Sequence, residues 1–306
     1  MEFPGTLLEF IEQFPDEESC WRYVKSVRWP HGFRCPRCGG RRASYLTSRR
    51  LFQCCACRRQ TSVTAGTVFH GTRTELRKWF LALFFFARHK QSVSALQLQR
   101  DLGLGSYQTA WTMLHKLRSA LGRRTGQLLK GTVEADEAFV GGRRRGGRQR
   151  GRGSPNKTIV SVVVERRPHT AGALALTPVA DNSWASLGPA VRGAIEGAHT
   201  TVLTDDWAGY WPLASQGVDH RPEVQGPPER AAELLPWAHV VISNLKTWLR
   251  GTFHGVSHKH LPRYLQEFTY RFNRRWREKE LFFYLTRRAV QAKPLPYSRL
   301  VAEPVG

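Results

Sequence analysis

Two sets of residues in this chain have the types and spacing to do chemistry. The first is Cys35-Pro-Arg-Cys38 with Cys54-Cys-Ala-Cys57, a C-x2-C-x15-C-x2-C pattern. Each C-x-x-C turn folds back so that two sulfurs reach one ion, and two such turns complete a tetrahedron, the arrangement of a structural Zn²⁺ site. A ribbon this small has almost no core, so the ion is expected to supply its folding energy. Cys55, inside the second pair, is read as a bystander, and Cys20 as a small buried hydrophobe. The second set is acidic. Asp136 falls at the centre of an alternating apolar segment, 132–140, and Asp205 at the carboxyl end of another, 200–205. A carboxylate in a core strand is costly unless it is paired or binds a cation. Adjacent strands would bring the two together, and divalent ions such as Mg²⁺ or Mn²⁺ would remove their repulsion. The plainer alternative is ion pairing with the chain's many arginines. Glu134 shares the face of Asp136 and is read as a secondary participant, whereas Glu137 points to the opposite face. Asp206 is read as structural. In the helical segment 235–249, His239 and Lys246 are seven residues apart and so share a face. His239 can bind metal and Lys246 can contact a phosphate; a capping or packing histidine is the alternative.

The elements that must position these groups follow from periodicity and turn chemistry. Short strands are expected at 43–46 and 50–53 within the cysteine module, whose surface is rich in arginine (Arg34, Arg37, Arg41, Arg42, Arg49, Arg50, Arg58, Arg59). Helices are expected at 74–89, 94–102 and 107–118, the last two joined by Gly103-Leu-Gly-Ser106. Trp111, Leu114, Leu117 and Leu121 recur at helical spacing as a buried stripe. Two helices about a short glycine turn make a helix-turn-helix, whose second helix would present Gln108, Thr112, His115, Lys116 and Arg118 to a DNA groove. An ordinary helical hairpin is the alternative. After residue 130 the pattern becomes α/β: strands at 132–140, 158–165, 173–177 and 200–205, a helix at 184–196, and mostly helix from about 229 onward. Between the first two strands lies a loop of glycine and arginine, in which Arg143, Arg144 and Arg145 are expected to clamp phosphates.

Composition bounds the partner. Lys and Arg total 47 against 24 Asp and Glu, a formal net charge of +23 over 306 residues. An excess of that size suits a polyanion. No apolar run reaches the roughly 18 residues of a membrane span, and Met1-Glu-Phe-Pro does not begin a signal peptide. A cytoplasmic location is therefore expected, where clustered cysteine pairs point to metal and not to disulfides.

The chain resembles the zinc-ribbon insertion-sequence transposases of the ISXO-like type, found in prokaryotes. The resemblance is carried by the two cysteine pairs, by Leu102-Gly-Leu-Gly-Ser-Tyr-Gln-Thr-Ala-Trp111 with Leu114-His-Lys-Leu-Arg118, and by Val133-Glu-Ala-Asp-Glu137 with Gly141-Gly142. It continues through Thr204-Asp205-x-Trp207-x2-Tyr210, Gly251-Thr-Phe-His-Gly-Val-Ser257, and a run from Lys259 to Arg271-Phe-Asn-Arg-Arg275. It implies a multidomain α/β protein: N-terminal helix and zinc ribbon (1–70), helix-turn-helix region (71–128), RNase H-like catalytic domain with C-terminal helices (129–290) and a tail (291–306). It implies DDE-type chemistry, metal-dependent 3′-end cleavage and strand transfer, with Asp136 as first and Asp205 as second acid. Counting back from Gly251-Thr-Phe, the usual third Glu falls on His239, a DDH variant, and the usual basic residue on Lys246. Asn244 is the second choice for the third ligand and Glu233 a distant third. An imidazole donor suits Mn²⁺ at least as well as Mg²⁺. The implied partners are double-stranded DNA, as terminal inverted repeats and target, and further copies of the chain in a homodimer or larger synaptic assembly. Two rivals stand beside this reading: a non-catalytic DNA-binding regulator derived from a transposase, and a structure-specific nuclease that cuts without joining.

Overall fold

The computed structural model describes residues 4–122, 128–141, 157–223 and 234–302. They divide into two compact units, Met1–Leu121 with Arg277–Ala302, and Gly122–Trp276.

The first unit begins with helices α1 (Leu7–Gln13) and α2 (Glu17–Arg28). The α2 helix starts where Asp16 accepts a hydrogen bond from the Ser19 amide at 2.7 Å, a side-chain cap for an otherwise orphan donor. An antiparallel sheet follows, β1 (Ala43–Leu46), β2 (Leu51–Cys54) and β3 (Gln60–Thr61). It has more core than its length suggests. Phe52 packs against Trp29, Phe33 and Tyr45 with ring centroids 5.0–5.7 Å apart, and Trp21 of α2 stacks on it at 6.0 Å. Helix α3 (Leu76–Arg88) is buried on most of its surface. Its first turn is capped from outside: the carboxylate of Glu17 accepts from the Leu76 and Arg77 amides, each at 2.9 Å. Helices α4 (Ala95–Asp101) and α5 (Tyr107–Ala120) follow, separated by a turn in which Gly103 takes φ +56°, a left-handed conformation that glycine adopts without steric cost.

The chain returns to this unit after Trp276, so the boundary expected at 290 falls at Arg277. The cause is aromatic packing that local periodicity does not reveal. Phe282, on the helix Leu281–Gln291, sits among Phe10, Phe14, Phe80 and Phe84. The stretch expected to be a plain tail holds a further helix, Tyr297–Ala302, whose Tyr297 packs edge-on against Trp111 of α5.

The second unit is a five-stranded mixed sheet. Its strands are β4 (Leu129–Val140), β5 (Thr158–Arg167), β6 (Thr170–Val179), β7 (Ile195–Asp205) and β8 (Asp219–Glu223), in the order β6-β5-β4-β7-β8. The β4–β5 and β5–β6 pairs are antiparallel; β4–β7 and β7–β8 are parallel. Strand β8 has no apolar alternation, and sequence reading passes over it. Its Asp-His-Arg-Pro-Glu composition suits an edge, where proline's missing donor costs nothing and charge discourages further pairing. Helix α6 (Trp184–Arg192) covers one face through Leu187 and Val191, against Val133, Ala135, Val163 and Val202. Helices α7 (Pro236–Phe253) and α8 (Leu261–Phe272) cover the other, against Ala138, Val140, Val160, Val162, Val164 and Leu203. At the far edge, the Asn273 amide donates to the Leu174 carbonyl at 2.9 Å and accepts from its N–H at 2.8 Å, satisfying an unpaired stretch of β6. Arg275 donates to the carbonyls of Gly172 and Ala171 beside it.

Candidate active site and metal centre

The four ribbon cysteines converge. The sulfurs of Cys35 and Cys57 lie 3.6 Å apart, as do those of Cys38 and Cys54, and all four lie within 4.8 Å of one another. Backbone N–H groups of Cys38 and Arg37 bring the Cys35 thiol down to about 6. Those of Cys57 and Ala56 lower Cys54. The Gly40 N–H also favours the Cys38 thiolate, but the neighbouring sulfurs of Cys57 and Cys54 outweigh it and push that thiol up to about 12. Four sulfurs this close do not all ionise without a cation, and the set fits tetrahedral Zn²⁺. A side chain at Gly40 would come within 3.2 Å of the Cys54 sulfur and 3.4 Å of the Cys38 sulfur, so any larger residue there would press on the cysteine cluster. The eight ribbon arginines are all exposed. Cys20 is fully buried, its thiol pushed up to about 12 chiefly by burial, and Cys55 is exposed.

The acidic set is assembled by strand register. Parallel pairing sets Glu134 opposite Leu203, and two residues further along each strand are Asp136 and Asp205. Side chains two apart share a face, so Glu134, Asp136, Leu203 and Asp205 all lie on the face that α7 covers. Both aspartates are half-buried, and Asp136 Oδ1 accepts from the Glu137 N–H at 2.7 Å. On the opposite face, Tyr210 donates its hydroxyl to Glu137 at 3.0 Å. Burial first, and then the charges of Glu137, Asp136 and Asp205, hold that phenol far above its ordinary value.

On α7, His239 and Lys246 are half-buried; Lys246 lies within electrostatic reach of Asp136 and His239 within that of Glu134. Burial lowers the Lys246 ammonium, and the attraction of Asp136 opposes the shift. Asn244 is exposed. At five residues from His239 it lies roughly 140° around the helix, from about 100° per residue. Among the described residues the cysteines alone form a group of three or more metal-type donors within 4.8 Å; Asp136, Asp205 and His239 are more open. Two carboxylates and an imidazole are nonetheless donor types suited to a divalent ion.

Glu134 has a role that strand alternation alone did not disclose. It is fully buried, and its Oε2 accepts from the Trp237 and Ala238 amides, each at 2.8 Å. It caps the start of α7. Burial raises its carboxyl above the ordinary range against those amides and against Arg166, whose Nε lies 3.7 Å from Oε1. Behind Asp205, the Thr204 hydroxyl donates to the Asp205 carbonyl at 2.7 Å and lies 2.8 Å from His220 Nε2. A hydroxyl has one proton, so that ring nitrogen is the donor. Burial lowers the His220 pKa, with Asp206 opposing.

The helix expected to read DNA is partly turned inward. His115 and Arg118 are buried, at 0% and 1% exposure, and neither presents to a groove. His115 lies against the Trp111 ring, with centroids 4.0 Å apart. A second apolar covering from the C-terminal helices of the unit made the buried arc wider than the 111–114–117–121 stripe. Of the expected contacts, Gln108 is exposed and Thr112 and Lys116 are half-buried. Arg143, Arg144, Arg145 and Glu233 lie outside the described residues. No helix among the described residues is long and apolar enough to cross a membrane.

Known proteins match these parts of the chain. The family model for the ISXO2-like transposase domain matches residues 128–273, and that for the transposase zinc-ribbon domain matches residues 15–60. A Halobacterium salinarum protein described as an uncharacterized protein in transposable element ISH50 is 30% identical over 228 residues, covering 66% of this chain and 72% of its own length. Among solved structures, a pre-cleavage Mos1 transpososome (14% identity, TM-score 0.28) and the Mos1 strand transfer complex (14%, 0.27) each cover 74% of this chain and 82% of their own. Superpositions that loose carry no positions across.

Proposed function

The chain belongs to the ISXO2-like, zinc-ribbon transposases of insertion sequences, and from that premise we propose that it binds its element's terminal inverted repeats and catalyses metal-dependent 3′-end cleavage and strand transfer. The observation that supports the catalytic part is the register of β4 and β7: Glu134 pairs with Leu203, and Asp136 and Asp205 follow two residues along on each strand, on the face that α7 covers. The strand order, with one antiparallel arm and one parallel arm about β4, is the arrangement we assign as RNase H-like.

In this reading Asp136, Asp205 and His239 hold divalent ions. Bound there, such ions supply an activated water and stabilise a leaving 3′ oxygen. The two carboxylates sit two residues beyond the last β4–β7 pair, Glu134 opposite Leu203, which limits how far their backbones can separate. Lys246, held near Asp136, contacts the phosphate under attack and offsets its charge. Water displaces the 3′ oxygen at the element end, taking the phosphoryl bond as the oxygen takes a proton. The freed 3′-hydroxyl then attacks a target phosphodiester, so one P–O bond forms as another breaks. The ribbon arginines, with Gln108, Thr112 and Lys116 of α5 as the groove-facing part of a helix-turn-helix, bind the repeats, and two ends are joined by a dimer or larger assembly.

A joining assay tests this. Purified protein, DNA carrying both true element ends, a plasmid target, and Mg²⁺ or Mn²⁺ are combined, with an Asp205→Asn variant alongside. Joined products from wild type alone are expected, more with Mn²⁺ than with Mg²⁺ because of the imidazole. Cleavage without joining would favour the nuclease, and DNA binding without either would favour the regulator.

A further inference from the structure

Helix α7 begins without a local cap. Its N-cap residue, Leu235, has no side-chain acceptor, and Pro236 in the first turn offers no N–H. The two amides that follow, of Trp237 and Ala238, are instead bound at 2.8 Å by one oxygen of Glu134, more than a hundred residues earlier on β4. Two residues past Glu134 is Asp136, and one residue past Ala238 is His239. We propose that Glu134 is a positioning residue that locks the rotation and height of α7 against β4 and so sets His239 against Asp136. The proposal rests on the reading of Asp136, Asp205 and His239 as an ion-holding set.

Helix stability alone does not account for this arrangement. A serine or aspartate at position 235 would cap the same turn from the surface. Burying a carboxylate at 0% exposure carries a desolvation cost that a surface cap avoids. What a surface cap cannot do is tie the helix to the strand that bears the acid. One oxygen shared between consecutive amides fixes both the axial rise and the phase of the first turn. His239 lies within that turn, so its imidazole inherits the constraint. Groups that orient a metal's ligands in this way typically contribute about 10- to 100-fold in affinity.

The first unit supplies a matched control. Glu17 likewise caps the first turn of α3 from another helix through two consecutive amides, at 2.9 Å each, though with one oxygen to each amide, and among the described residues no group of metal-type donors converges there. The experiment is an Mn²⁺ titration of the full chain without DNA, followed by the paramagnetic signal of the free ion, with amide exchange at Trp237 and Ala238 and thermal unfolding in parallel. Glu134→Ala is expected to weaken Mn²⁺ binding by about 10-fold or more and to speed exchange of both amides. Glu134→Gln keeps an acceptor oxygen and is expected to stay within about 3-fold of wild type, and Glu17→Ala within about 2-fold although its melting temperature falls. If Glu134→Ala does not fold, Glu134→Asp, which withdraws the oxygen by about 1.5 Å, is expected to show the same weakening. Unchanged Mn²⁺ binding in the folded Ala or Asp variant overturns the proposal, as does an equal loss in Gln, which would mean that charge and not position matters. His239→Ala separates the levels: if it binds Mn²⁺ as wild type does, the ion-holding role of His239 fails and the proposal falls with it, whereas weakened binding there with unchanged Glu134→Ala refutes the cap alone.

Discussion

The cysteine ribbon and the acidic sheet face are two answers to one problem, that of gathering groups that repel or desolvate one another. In the ribbon the four sulfurs come from two short turns and stand within 4.8 Å of one another. On the sheet the acids are 69 residues apart and share one face because β7 joins β4 in parallel, with Glu134 opposite Leu203 two residues before each. The ribbon set is closed, with four protein donors and no position left over, as structural sites are; the acidic set is more open, as the proposed catalytic role requires. A closed local site is written into spacing. An open non-local one depends on a sheet, a helix, and the interactions that hold helix to sheet.

The largest effect that would break this contrast comes from the acids. Asp136→Asn or Asp205→Asn is expected to lower joining by about three orders of magnitude while leaving zinc content, DNA affinity and melting temperature near wild type. A variant that also lost zinc or unfolded would show that the two sites are not separate in function. The reciprocal change is Cys54→Ser. Its ribbon is expected to lose zinc and unfold, lowering the slope of log affinity against log salt by about 0.9 for each DNA phosphate that the ribbon no longer neutralises. The β4–β8 sheet should keep its own unfolding transition, apart from the ribbon's, in a chelator titration followed by amide exchange.

A third pair of variants asks which arginines belong to DNA. Arg118 is 1% exposed, whereas Arg41 and Arg42 are open to solvent. Arg118→Met is expected to cost about 2–4 kcal/mol of stability without changing the salt slope. Arg41→Ala is expected to reduce that slope by about one unit without changing the melting temperature. If Arg118→Met altered the slope in folded protein, the buried side of α5 would be moving outward on DNA.

How far each site was legible follows from the same contrast. Spacing fixed the cysteine set, and alternation placed Asp136 mid-strand and Asp205 at a strand end. The bounds of β1, α3 and α5 fell within a few residues of expectation, because capping and periodicity are local. What escaped was set by distant partners. Glu134 read as a secondary participant beside Asp136, and its cap on the start of α7 depends on a helix more than a hundred residues later. His115 and Arg118 looked like a polar helix edge, because nothing near them in sequence announces the helices after Trp276. Phe52 drew its core from α2, so the ribbon was better packed than its own residues imply. Strand β8 pairs by backbone alone, with a composition that reads as loop.

The smallest expected effect concerns how the end of β7 is held. His220 Nε2 donates to Thr204, and Thr204 donates to the Asp205 carbonyl, so the second acid's backbone is tied to the edge strand through a titratable group. Burial depresses the His220 pKa below its ordinary 6.5, so as pH falls the unfolded chain takes the proton before the folded chain does. The resulting contribution to stability is fully present above about pH 6.5 and is lost progressively as pH drops through the folded value. His220→Gln keeps a donor to Thr204 but does not titrate. The melting temperature of wild type should therefore fall more than that of the variant between about pH 7.5 and pH 5. Parallel curves would mean that the proton is taken up equally in both states, and the tie behind Asp205 would then be held by Thr204 alone. The ribbon has no counterpart to this dependence on an edge strand, because its ligands reach their ion without one.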